Sequence, residues 1–325
     1  MKNYLQFSRP FTLFPPMLGV ISGALTAWGS GHNQAVSGFG RKEIVLIAVA
    51  ALAAALLNAA SNGVNQVCDL EIDRINKPSR PLVTGAVSRR GAVWFTVIVY
   101  ILSVAVTWIV VPDPRFESWF DRLRAPLIFH ECIFFYFLAG VFTLAYSVPA
   151  LGRTKRLTLG ANLTIAIPRG LMLKVAGWSV LVSVRHWEPW YIGLCFFLFL
   201  IGAASTKDFS DMEGDLMGGC RTLPNRFGVK RAAYIIAPCF VVPWLLIPLG
   251  LLIKPNGVDP ILTGDPVLLL ILGISLILWG GYTLYLILRD PEALSRVENH
   301  PSWKHMYLMM MWAQIGFALA YVVHL

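Results

Sequence analysis

The stretch whose reading decides the fold is "IVLIAVAALAAALLNAASNGVNQVCDLEIDRINKPSR", Ile44 to Arg80. Its first half is a nearly unbroken apolar run. Its second half turns to amides, acids and then bases. A helix that crosses a bilayer needs roughly 20 mostly apolar residues, and a span that ends at water explains both halves at once. In the polar half, Asn65, Asp69 and Asp73 recur at i, i+4 and i+8. On a helix these share one face, so an amide and two carboxylates form a stripe where the span leaves the lipid. Glu71 falls off that stripe and reads as solvated.

The rest of the chain agrees with a membrane reading. Of its 325 residues 56% are hydrophobic and only 14% charged, against roughly 25% charged in a soluble domain. The mean hydropathy is +0.63. A net charge of +9 would suggest nucleic acid in a soluble protein; here it marks loops that face an anionic leaflet, and no nucleic-acid partner is expected. The five cysteines, Cys68, Cys132, Cys195, Cys220 and Cys239, form no CxxC pair and read as small buried residues. The N-terminus shows no cleavage signal and runs directly into the first span.

Apolar runs of spanning length predict an all-α membrane protein with nine transmembrane helices, the whole chain 1–325 forming one domain. The spans lie near Thr12–Trp28, Ile44–Asn65, Ala92–Val111, Leu127–Val148, Leu157–Val182, Trp190–Ser205, Ala232–Ile253, Pro266–Leu288 and Trp303–Val323. With the N-terminus inside, the inner segments carry 18 Lys and Arg and the outer ones 7. The positive-inside rule therefore places the N-terminus in the cytoplasm, together with the connections after spans two and six. The outer connection "PDPRFESWFDRLRAP" interleaves aromatic and charged residues and predicts a short interfacial helix.

The connection after span six repeats the theme. In "STKDFSDMEGDLMGGCRTLPNRFG", Asp208, Asp211 and Asp215 fall at i, i+3 and i+7, again one face of a helix, with Glu213 off it. Carboxylates packed together at a membrane boundary repel one another and resist desolvation, so something positive belongs between them. Oxygen-only ligands favour Mg2+, which binds through one or two carboxylates and substrate phosphates. Bases follow each cluster: Arg74, Lys77 and Arg80 after the first, Arg221 and Arg226 after the second. Two such faces on one side of the membrane describe a receptor for a metal-bridged diphosphate.

At these residues the chain resembles the UbiA superfamily of intramembrane prenyltransferases. The N-x3-D-x3-D signature is met by Asn65, Asp69 and Asp73, and the second acidic signature by "KDFSDMEGD", Lys207 to Asp215. The early "RPFTL" and the "YSVPALGRTKR" connection add to the likeness. The resemblance implies nine helices around a central cavity, capped on the cytoplasmic side by the connections after helices two and six and open sideways to lipid. It implies two Mg2+ ions, held by Asn65, Asp69, Asp73, Asp208, Asp211 and Asp215, that bind an isoprenyl diphosphate. It implies that Tyr146 and Lys155 touch the diphosphate, with Arg153, Lys155 and Arg156 all in reach. Asp69, Asp73, Asp208, Asp211 and Lys155 are then the expected catalytic set, and Asn65, Arg74, Arg80, Tyr146 and Arg153 the expected substrate contacts.

Three further cations stand out. Arg169 lies twelve residues into span five, about 18 Å deep at 1.5 Å per residue. A charge at that depth is a functional candidate, expected to face the cavity and meet an anionic acceptor or the diphosphate; a structural pair with a polar neighbour is the alternative. Lys174, further along, is expected to snorkel to the far interface. Arg9 either closes the cavity mouth or marks the inner interface. Trp178, Phe196 and Tyr136 could stabilise an allylic cation, though packing explains each.

The expected reaction is Mg2+-dependent transfer of a polyprenyl group from its diphosphate to a lipophilic acceptor, with an aromatic acceptor of the homogentisate or hydroxybenzoate kind preferred. Prenylation of a glycerol-phosphate ether lipid and a UbiA-type terpene cyclase are the alternatives within the superfamily. A transporter is the alternative outside it, but transport predicts acids at mid-membrane in broken helices, and here the acids cluster at helix ends.

Overall fold

A computed structural model describes residues 2–33, 38–255 and 257–323; among them every regular element is a helix. Six helices are long and apolar enough to cross a membrane. They are α1 (Pro10–Gly29), α2 (Arg41–Cys68), α3 (Arg89–Ile109), α6 (Trp187–Lys207), α7 (Val229–Leu252) and α8 (Pro266–Arg289). Between and after them come the shorter apolar α4 (Glu131–Ser147), and α5 (158–178) and α9 (Pro301–Val322), which are not among those six. Each of the nine helical stretches expected from hydropathy has a counterpart within a few residues, although only six meet the spanning criterion on length and composition.

The helices pack in chain order, each against the next, and α9 returns to α1, so the bundle closes on itself. Inside this ring α1 also crosses α5. The crossing is tight because Gly23 faces Gly177, where a Cβ on either would run into the other backbone; small residues let membrane helices approach in this way. Buried alanines do the same along α2, where Ala50, Ala53, Ala54 and Ala60 turn inward. An aromatic core of Phe196, Phe199, Phe240, Trp244 and Phe317 fills the α6–α9 half. Leu52, Ile101 and Leu278 are exposed on the outer faces, as lipid-facing side chains are.

Helix α5 is not regular. It runs as an α-helix over Thr158–Ala166, widens into a π-helix over Ile167–Met172, and resumes over Leu173–Trp178. Pro168 lies in the widened part and lacks the N–H of a regular ladder. The expected interfacial helix exists as Trp119–Arg124, capped by a Ser118–Asp121 box, with Arg124 stacked 3.8 Å over Phe120.

Candidate active site

Both acidic motifs lie at one end of the bundle and face one cavity of about 430 Å3. The first motif is built by a break in α2. The helix ends at Cys68, Asp69 leaves helical geometry, and a short helix Leu70–Asn76 follows. The ladder nevertheless continues across the break, from Asp69 N to Asn65 O and from Asp73 N to Asp69 O, each at 2.8 Å. The stripe therefore survives, and Asn65, Asp69 and Asp73 all line the cavity. The second motif reaches the same cavity by another route. Residues 208–211 form a turn rather than the expected helix, and a short helix Met212–Met217 begins after Asp211. Asp208, Asp211 and Asp215 all line the cavity, through the turn rather than through one helical face. The two short helices touch: Gly214 leaves room for Asn76, and Gly218 for Ile72.

The carboxylates of the first motif are closed by the protein's own bases. Asp69 takes Arg153 Nη2 at 2.7 Å and Lys155 Nζ, and Asp73 takes Arg80. Asp211 lies 3.9 Å from Lys207 and 4.0 Å from Lys77, and Lys77 also pairs with Glu298 at 3.7 Å. Asp208 and Asp215 have no ion pair among the described residues. Burial and the Asp215 charge push the Asp208 carboxyl up to about 8. Burial pushes Asp215 up to about 6 against the pull of Lys155, with Asp211 and Asp69 adding to the rise. Burial also raises Asp73 against the pull of Arg80.

Each expected site residue can now be placed. Asn65, Asp69, Asp73, Arg80, Tyr146, Lys155, Asp208, Asp211 and Asp215 line the cavity. Arg153 and Lys155 both turn to Asp69, whereas Arg156 faces outward. Arg74 is a correction: it is exposed and forked onto Glu71 at 2.8 and 3.0 Å, away from the cavity, because it falls off the stripe that Asp73 ends. Lys174 is a second correction, since it is fully buried and does not snorkel. Trp178 and Phe196 belong to the packed core, while Tyr136 lines the cavity and donates its hydroxyl to Ala50 O at 2.6 Å.

Arg9 and Arg169 also line the cavity, and both are exposed rather than enclosed. Arg9 sits at φ 57, in the left-handed region a non-glycine residue rarely adopts. Three amides of α2 hold that loop: Asn58 donates to Thr12 O at 2.8 Å, Asn62 to Ser8 O at 2.9 Å and Gln66 to Phe7 O at 2.8 Å. Arg169 reaches Asn58 Oδ1 at 3.4 Å. No carboxylate pairs with either guanidinium among the described residues. Burial, Arg80 and Arg169 together lower the pKa of Arg9, so the two cations compete for one anion-seeking space. Asn58 and Asn62 were missed from sequence. Their signal was present, because 58, 62, 65, 69 and 73 extend the same stripe inward at steps of three and four.

The donor set fits a hard divalent cation. All six motif residues offer oxygen, and Asp208 and Asp215, which have no ion pair among the described residues, both line the cavity. Among the described residues no three His, Cys, Asp or Glu side chains converge into a preformed metal cage, because Asp69 and Asp73 are turned onto bases. The result is a helical membrane bundle with one cavity lined by acids, bases and apolar side chains.

The chain belongs to the UbiA prenyltransferase family, whose model matches residues 16–298, and it is a multi-pass integral membrane prenyltransferase. It is 29% identical over 235 residues to digeranylgeranylglyceryl phosphate synthase from Thermococcus kodakarensis, covering 72% of each chain. It is 28% identical over 271 residues to the chloroplastic naringenin 8-dimethylallyltransferase 2 of Sophora flavescens, covering 81% of this chain and 60% of that one. In fold it is similar to a UbiA homolog from Archaeoglobus fulgidus bound to DMAPP and Mg2+, with a TM-score of 0.69, 19% identity, and 98% and 99% of the two chains covered.

Proposed function

We propose that this enzyme transfers a polyprenyl group from its diphosphate to an anionic lipid acceptor of the glycerol-phosphate ether kind, with two Mg2+ ions. In this reading the chain is one domain of nine spans, with the N-terminus and the acidic mouth on the cytoplasmic side. Asn65, Asp69 and Asp73 on one side and Asp208, Asp211 and Asp215 on the other would hold two Mg2+ ions, which would supply positive charge to offset that of the departing diphosphate. Lys155, Arg153 and Arg80 exchange their aspartate partners for phosphate oxygens and orient the leaving group. The apolar wall of the cavity, with Phe135, Met172 and Leu173 among its residues, holds the prenyl tail and excludes water while C1 is cationic. The acceptor hydroxyl then attacks C1 and loses its proton to the polar mouth.

The observation that carries the acceptor choice is Arg9 and Arg169, two guanidiniums that line the cavity and have no carboxylate ion pair among the described residues. A phosphate on the acceptor supplies the missing charge and two-fork geometry. Similarity to digeranylgeranylglyceryl phosphate synthases supports the same choice over the aromatic acceptor preferred from the sequence. An aromatic acid is the second reading, favoured by Phe135 and Tyr136 in the cavity wall and by the likeness to a naringenin dimethylallyltransferase.

The test is to incubate purified protein with geranylgeranyl diphosphate, Mg2+ and a panel of acceptors, and to follow diphosphate release and product mass. The ether phosphate is expected to react fastest. Preference for a hydroxybenzoate would reverse the acceptor assignment, and product without any acceptor would make the enzyme a cyclase.

A further inference from the structure

Lys174 lies within a membrane helix and is completely buried, yet it does not line the cavity. Its Nζ donates to Ser22 Oγ at 2.7 Å and Thr26 Oγ1 at 3.1 Å on α1, and to Gln314 Oε1 at 3.5 Å on α9. The same nitrogen lies 5.2 Å from the Phe317 ring centre and 5.9 Å from that of Phe196. No carboxylate is paired with it among the described residues. An amine enclosed in a membrane core without a counter-charge is costly, and an apolar residue of similar volume there is often neutral or stabilising. Its presence calls for a task other than stability.

Its position supplies one. Lys174 follows directly on the π-helix Ile167–Met172 that carries Arg169, and its neighbours Leu173 and Ala176 line the cavity. Its hydroxyl partners sit on α1, the helix whose N-terminal end follows Arg9. Between these helices the Gly23–Gly177 contact is close but smooth, and two glycines offer no side-chain notch to fix rotation or register. A lysine stem with three donors can reach hydroxyls on one helix and an amide on another. We propose that Lys174 is a positioning residue: it fixes α1 against α5, and so sets the separation of Arg9 and Arg169 that grips the acceptor's anionic group. This rests on the acceptor reading above.

The test is a double-mutant cycle with Arg169→Gln, using geranylgeranyl diphosphate and a geranylgeranyl ether of glycerol phosphate as substrates. Lys174→Met is expected to raise the acceptor KM about tenfold, with the diphosphate KM unchanged and the melting midpoint unchanged or higher. In the Arg169→Gln background it is expected to add little, since the two act through one contact. Lys174→Gln, which keeps a donor, is expected to return the acceptor KM toward the parent value and serves if the methionine variant fails to fold. A silent Arg169→Gln would sink the acceptor reading itself. An effective Arg169→Gln beside a silent Lys174→Met, or fully additive effects, would overturn the positioning role and leave that reading standing.

Discussion

The two acidic motifs face one cavity but are electrostatically opposite. The first is satisfied by the chain: Asp69 is clamped by Arg153 and Lys155 from the connection after α4, and Asp73 by Arg80. The second is looser: Asp211 lies near Lys207 and Lys77, but Asp208 and Asp215 have no ion pair among the described residues, and the Asp208 carboxyl rises to about 8. One motif is a closed ion-pair lock and the other an open seat for a cation. The difference implies an order of loading. A divalent ion would displace protons from Asp208 and Asp215 rather than a paired base, whereas Asp69 and Asp73 would open only as their bases acquired phosphate oxygens instead.

The largest effects that could break this contrast come from neutralising each motif. Asp69→Asn and Asp211→Asn are both expected to abolish turnover. Their stabilities should separate them from Asp208→Asn. Asp69→Asn leaves two buried cations unpaired and should cost ~3–5 kcal/mol of stability, the cost typical of breaking a buried pair from one side. Asp208→Asn removes a buried carboxyl whose charge, once ionised, has no counter-ion among the described residues, and should raise the metal-free melting midpoint above pH 8, where that charge forms. Equal shifts in the two variants would erase the distinction between lock and seat.

A smaller effect probes the lock directly. Lys155→Met should increase Mn2+ affinity in the absence of diphosphate by about tenfold, ~1.4 kcal/mol, as read by electron paramagnetic resonance. Arg169→Met also removes a cavity cation but no aspartate partner, and should change that affinity far less. If both variants gain alike, general electrostatics explains the result and Asp69 is not locked.

The open seat makes a prediction in pH. A carboxyl raised in the folded state, from 3.8 to about 8 for Asp208 and to about 6 for Asp215, binds protons more tightly there than in the unfolded chain. Its contribution to stability is therefore present at low pH and is lost as pH rises through the folded value. The metal-free midpoint should fall between pH 5 and 8, and saturating Mg2+ should flatten the fall, which a melting series checks. The smallest effect belongs to Arg74→Ala. This exposed pair with Glu71 should be worth under about 1 kcal/mol, and the variant should keep its KM for diphosphate.

Much of this was legible before any coordinates. Apolar runs marked the helices because lipid demands them, and the spacing of Asn65, Asp69 and Asp73 marked a face because hydrogen bonding continues through the break at Asp69. For the second motif the spacing pointed to three aspartates that do line the cavity, but a turn rather than one helical face brings them there. What periodicity could not reveal was tertiary. That Lys155 and Arg153 reach Asp69 depends on the fold of a connection more than 80 residues away. That Lys174 is enclosed rather than snorkelling depends on hydroxyls supplied by α1. His130 bonds Trp108 O at 2.8 Å and His305 bonds Thr283 Oγ1 at 2.9 Å, contacts that likewise depend on the tertiary fold.

The most direct measurement is a calorimetric titration of inorganic pyrophosphate into the purified protein, with Mg2+ and with EDTA, for the parent chain, Asp69→Asn and Asp211→Asn. If the clusters hold one anion jointly through divalent ions, tight binding appears only with Mg2+ and disappears in both variants. Binding that persists in EDTA, or that survives the loss of either aspartate, would contradict the shared grip on which the account depends.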